Sequence, residues 1–162
     1  MRFPRPLSPL LYLIAAVVVP LRPAAGQEPA GREFGVQAMT VLEDPLWAGG
    51  GVYAAWRPGG KTRLAVTLGL GSLGGTVAGR GELLAHFLLS PGRLSGVTVY
   101  GLGGIAGVVG RRDQGYLVLG LGLEHAPGAA SGWVIEAGVG GGARILAGWR
   151  WRWLSPTRRP EP

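Results

Sequence analysis

The chain has no cysteine. No disulfide can staple the fold, and both thiolate chemistry and cysteine-ligated metal are excluded. Histidine is scarce, with two in 162 residues, so the sequence supports neither a metal site nor a cofactor. The glycine-rich runs, such as Gly101-Leu102-Gly103-Gly104, lack the lysine and the helix onset of a phosphate loop. The apolar run Leu10–Val19 falls well short of the roughly 20 residues a membrane-spanning helix needs. The net charge of +7 and the pI of 11.0 come from basic residues spread along the chain. They form no cluster that could track a phosphate backbone, so nucleic acid is not an expected partner.

Glycine is abundant, with 31 residues. The first segment reads as a secretory signal peptide over residues 1–26. Arg2 and Arg5 form a basic start, Leu10–Val19 the apolar stretch, and Ala24-Ala25-Gly26 the small residues of a cleavage site. Cleavage would remove Arg2, Arg5 and Arg22 and lower the net charge from +7 to +4 (7 − 3). A short segment at 27–31 precedes the folded domain, and a disordered tail is expected at 154–162.

Between these ends, apolar-alternating runs of about ten residues recur with turn signals between them, the pattern of a transmembrane barrel. Eight strands are expected, at about 32–43, 46–57, 62–71, 76–90, 97–109, 116–125, 132–140 and 143–153. In the third, Leu64, Val66, Leu68 and Leu70 alternate with Arg63, Ala65, Thr67 and Gly69. In the sixth, Leu117, Leu119, Leu121 and Leu123 oppose Tyr116, Gly120, Gly122 and Glu124. In the eighth, Trp149, Trp151 and Trp153 point one way and Arg150 and Arg152 the other, because successive strand side chains face opposite sides. Glu82–Leu89 is ambiguous. Its residues are good helix formers, and as a helix it would leave seven strands and an open sheet. Gly103-x-x-x-Gly107 matches a helix-packing motif, but glycine occupies alternating strand positions throughout the chain. The fold class expected is all-β, an antiparallel up-and-down transmembrane barrel of eight strands with both termini at one end and no long loops.

An eight-stranded barrel is just wide enough to be filled by side chains. The inward set expected is Arg63, Arg80, Glu82, Glu124, Glu136, Arg144, Arg150 and Arg152, forming a structural ion-pair network, since isolated buried charges cost too much. Glu82, His86 and Ser90 fall on one strand face. Four residues of strand span about 13 Å, too far for direct hydrogen bonds between adjacent members of an acid–base–nucleophile set. Trp47, Trp56, Trp133, Trp149, Trp151 and Trp153, with Tyr100, lie near strand ends and suit an aromatic girdle at headgroup level.

The signal peptide, the eight alternating segments and the terminal strand Ala143–Trp153 together resemble the small bacterial outer-membrane β-barrel proteins of the OmpA/OmpX type, over about 32–153. The resemblance implies an outer-membrane location, lipid as surroundings, and recognition of the last strand by the barrel-insertion machinery through Trp153. It departs from the family in the residues that follow Trp153. The leading functional expectation is an integral outer-membrane barrel with a structural role in the envelope and no catalysis. Two alternatives share the pattern. One is a soluble periplasmic lipocalin-like barrel binding a hydrophobic ligand, with Leu64–Leu70 and Leu117–Leu123 inside. The other is a membrane-embedded lipid-modifying enzyme with His86 or His125 as base. Oligomeric state is not readable from the sequence.

Overall fold

The computed structural model describes residues 31–59, 61–90, 93–110 and 113–154. The expected signal peptide, residues 27–30, the residues from 155, and the residues Gly60, Pro91-Gly92 and Arg111-Arg112 lie outside the described residues.

Eight strands follow one another: β1 (Gly31–Leu42), β2 (Trp47–Gly59), β3 (Thr62–Leu73), β4 (Thr76–Leu88), β5 (Val97–Val109), β6 (Gln114–His125), β7 (Ser131–Val139) and β8 (Ala143–Leu154). Each pairs antiparallel with its sequence neighbour, and β8 pairs with β1 to close the barrel. Closure leaves no strand edge to template aggregation. Glu82–Leu88 is strand, paired with β3 and β5 from Glu82↔Thr67 to Leu88↔Tyr100. The ladder on both sides overrides the helix-forming composition. Two boundaries depart from expectation: Gly31 already belongs to β1, and it pairs with Leu154, which closes β8 rather than opening the tail.

The even number of strands puts both ends of the described chain at one rim, called here the near rim. The far rim carries the tight connections at 43–46, 74–75, 110–113 and 140–142, and the near rim the connections at 60–61, 89–96 and 126–130. The turn at 74–75 is the tightest. Gly74 and Gly75 both take positive φ (57° and 84°), the requirement of a two-residue hairpin turn whose twist matches that of its strands.

Alternation sorts the side chains into two environments. Among the described strand residues, the outward positions carry chiefly valine, leucine, isoleucine, alanine, glycine, phenylalanine and tryptophan, with Thr40, Thr62, Ser72, His125 and Ser131 toward the strand ends. The only arginine among them is Arg32, at the near rim. Leu68 and Leu70 are 60% and 72% exposed, and Leu117 77%. The inward positions carry the charges, buried with Tyr53, Tyr100 and His86. Toward the far rim Met39, Val41, Trp47, Ala78, Val108 and Leu146 pack in one apolar cluster, beside the buried Arg80 and Arg144. Inward glycines let the wall bend. Gly49↔Gly71 and Gly51↔Gly69 face each other across β2–β3, and Gly120↔Gly138 across β6–β7. A Cβ on Gly51 would lie 2.7 Å from the Cα of Gly69, and one on Gly138 2.7 Å from that of Gly120. Only glycine permits so close an approach. The two seams are four strands apart, on opposite sides of the barrel.

Candidate functional site

The lumen is built by strand parity. Glu33 is on β1, Arg57 on β2, Arg63 on β3, Arg80, Glu82 and His86 on β4, Glu124 on β6, Glu136 on β7, and Arg144, Arg150 and Arg152 on β8; all are buried. Ten ion-pair contacts join six arginines and four glutamates into one connected network. At one end Arg80 donates to Glu82 (2.9 Å) and Arg144 grips the same carboxylate through two nitrogens (3.1 and 2.8 Å). Arg144 reaches on to Glu136 (3.0 Å), and Glu136 receives Arg150 (2.7 Å) and the hydroxyl of Tyr100 (2.6 Å). Arg150 links this half to Glu124 (3.8 Å). At the near end Arg63 binds both Glu124 (2.7 Å) and Glu33 (3.2 Å), and Arg57 binds Glu33 (3.1 Å).

The aromatic rings of the lumen cover guanidinium planes. Arg150 lies 4.0 Å from the ring centre of Tyr53, and Arg63 4.8 Å from that of Tyr100. Such contacts favour arginine over lysine, whose point charge has no plane to stack. His86 is stacked on Tyr100 (4.9 Å between centroids), and its Nδ1 accepts from Nε and Nη2 of Arg63 (3.1 and 2.9 Å). Inward glycines give these large side chains room. The ring of Tyr100 lies where a Cβ on its cross-strand partner Gly122 would be.

All eight charges placed inward from the sequence are in this network: Arg63, Arg80, Glu82, Glu124, Glu136, Arg144, Arg150 and Arg152. Glu33 and Arg57 belong to it as well and were not counted. Their signal was parity, since Glu33 falls on the face opposite Phe34 and Val36, and Arg57 opposite Trp56. The aromatics divide. Trp56, Trp149, Trp151 and Trp153 are on the outer wall, exposed, and Trp133 is half-buried there, paired with Trp149 and stacked on His125 (5.6 Å). Trp47 departs from the girdle: it is fully buried inside. It lies on the same face as Tyr53 and Arg57, its ring lies against the space over Gly69, and Arg80 sits 6.0 Å from the ring centre. Tyr100 is likewise inside rather than on the girdle.

The acid–base–nucleophile arrangement is not assembled. Glu82 is held by Arg80 and Arg144, His86 by Arg63, and Ser90 is exposed beyond the end of β4. His125 is exposed at the end of β6. The inverted, lipocalin-like barrel is overturned by the orientation of the strands. Leu64–Leu70 and Leu117–Leu123 lie on the outside, and the lumen they would have lined holds the ion pairs.

A closed antiparallel barrel of eight strands, apolar outside and charged inside, has the architecture of the small outer-membrane barrels of the OmpA/OmpX type. Among solved structures the chain is similar to the N-terminal β-barrel domain of OprF from Pseudomonas aeruginosa, with a TM-score of 0.56 and 14% identity over 76% of this chain and 99% of that one. It is also similar to the outer membrane protein Ail of Yersinia pestis, with a TM-score of 0.48 and 14% identity over the same shares of each chain. No protein-family model matches the chain, and no curated protein matches it in sequence. At this identity the likeness to the OprF domain is one of fold.

Proposed function

We propose that this protein is an integral outer-membrane barrel with a structural role in the envelope, its lumen plugged by side chains and without catalysis. The observation that carries the reading is the outer wall. Seven of the strands have 12–13 residues and β7 has nine. Tilted as in small barrels, the longer ones span about 30 Å, and between the strand ends the wall is apolar on every side. Water is a poor solvent for such a surface, and a contiguous apolar patch on a soluble monomer seldom exceeds a few hundred Å². Acyl chains are the surroundings it suits. Trp56, Trp149, Trp151 and Trp153 gather toward the near rim, where indole rings sit well at the level of lipid headgroups. The plug is supported by the chain of ion pairs across the lumen and by the apolar cluster above it. The absence of catalysis is supported by the engagement of Glu82 and His86 with arginines. On the same reading the insertion machinery recognises β8 through Trp153.

Fractionation of expressing cells, followed by electrophoresis with and without boiling, tests the location. A band in the outer-membrane fraction that changes mobility only on boiling is the expected result, and recovery in the soluble periplasm overturns it. Planar-bilayer recording tests the plug, with no steady conductance expected from the purified barrel.

A further inference from the structure

The near end of the lumen holds more positive charge than its carboxylates offset. Glu124 is surrounded by four guanidinium groups. Arg63 is at 2.7 Å, while Arg57, Arg152 and Arg150 stand back at 3.7, 3.7 and 3.8 Å. The second carboxylate there, Glu33, binds Arg57 and Arg63, both already counted. At the far end Glu82 is shared by Arg80 and Arg144, and Glu136 by Arg144 and Arg150. Across the network six arginines stand against four glutamates, an excess of two charges (6 − 4), with every guanidinium at most 4% exposed. With Arg150 closest to Glu136, the near end keeps Arg57, Arg63 and Arg152 against Glu33 and Glu124. Arg63 and Arg150 are covered by tyrosine rings. For Arg57 and Arg152 no such contact is recorded among the described residues. Nε of Arg57, and Nε and Nη2 of Arg152, are buried with no hydrogen-bond acceptor among the described residues. Buried donors and buried uncompensated charge are both costly, and a counter-charge within reach of the donors relieves both costs.

We propose that this end of the lumen is a binding site for a small inorganic anion of chloride's size and charge, held by Arg57 and Arg152 beside Glu124. The anion acts as a component of the fold, completing the neutralisation that Glu33 and Glu124 begin. Binding to the folded barrel alone raises its stability with anion concentration until the site fills.

The test is the temperature at which the purified full-length mature barrel, in detergent, loses its unboiled mobility. Chloride is exchanged for gluconate, a much larger anion, at constant ionic strength. The expected result is a saturating rise of about 5 °C in chloride. In the double variant Arg57→Gln, Arg152→Gln the network is balanced, four against four, and the rise disappears. Glu124→Gln acts in the opposite direction, lowering the chloride concentration at half-saturation by about tenfold, since it removes a charge that competes with the anion. Should the double variant fail to fold, crystals of the unaltered protein grown in bromide provide the second measurement, with an anomalous peak expected between Arg57 and Arg152. No chloride dependence in the unaltered protein, an undiminished rise in the double variant, or no bromide peak between those side chains overturns the proposal.

Discussion

Arg63 is the side chain whose loss the lumen tolerates least. It is fully buried, touches Glu33, Glu124 and His86, and underlies the ring of Tyr100. Removing one partner from a buried ion pair leaves the others desolvated and uncompensated, which costs about 3–5 kcal/mol. Arg63→Met is expected to lower the stability of the folded barrel by that order, read from the urea midpoint in lipid vesicles. Arg32→Met, at the exposed rim, is expected to stay within about 0.5 kcal/mol. Equal effects of the two would mean that the network contributes nothing. Tyr100 offers a finer probe. Tyr100→Phe keeps the ring over Gly122 and deletes only the 2.6 Å bond to Glu136, a loss of about 1.5–3 kcal/mol for a hydrogen bond to a charged acceptor. Gly122→Val displaces the ring as well and is expected to cost more in the same assay. At this scale most of the lumen was legible from parity. Glu33 and Arg57 were passed over because charges near a strand end are usually solvated, and here both are buried in the ion-pair network. Trp47 was misplaced because its position at a strand end suits a girdle equally well; what decides it is the trench of inward glycines on β2 and β3, which shows its shape only once the strands are paired.

The strands were readable because two signals with different causes coincide. A period of two requires a wall with unlike environments on its faces, and Gly-Gly, Asp-Pro and Pro-Gly punctuation marks the hairpins. β4 is the instructive case, since its helix-forming stretch carries Glu82 and His86 in parity with Arg80, all at even positions. Those residues have a destination in the lumen only if the segment is extended, so long-range pairing decides over local preference. The face assignment makes its own prediction. Leu68 is at mid-height on the outer wall of β3, and Ser72 lies on the same face near the far rim. If acyl chains surround the wall, Leu68→Arg costs about 2–4 kcal/mol and Ser72→Arg about 0–1, a depth dependence particular to lipid. Refolding into vesicles at graded urea measures both. In an aqueous setting, arginine at either position would be tolerated, so equal and small effects would sink the membrane reading.

Taken whole, the molecule is asymmetric about its mid-plane in three independent respects. The far rim is closed by turns as tight as Gly74-Gly75, while the near rim carries the longer connections at 89–96 and 126–130. The outward tryptophans gather toward the near rim, and no tryptophan faces outward at the far rim among the described residues. Beneath the far turns the lumen packs an apolar cluster around Arg80 and Arg144, and it is richest in charge toward the near rim. Termini in the periplasm would point the tight, unadorned rim outward, whereas the usual pairing of short turns with the periplasm and longer loops with the exterior would point it inward. A surface with no extended loop offers little for a receptor or an adhesion partner to grip, in keeping with a structural role. Insertion tags test the orientation. Gly75 is exposed and a Cβ there meets nothing within 4 Å, so a short epitope placed between Gly74 and Gly75 should leave the barrel folded. Ala129-Ala130 in the near loop offers a matching site. With the termini in the periplasm, antibody added to intact cells is expected to label the first insertion and not the second, and permeabilised cells to be labelled at both. The reverse pattern would turn the barrel over, placing the charged end of the lumen and the longer connections at the cell surface, and the case for a purely structural role would lose its support from the bare rim.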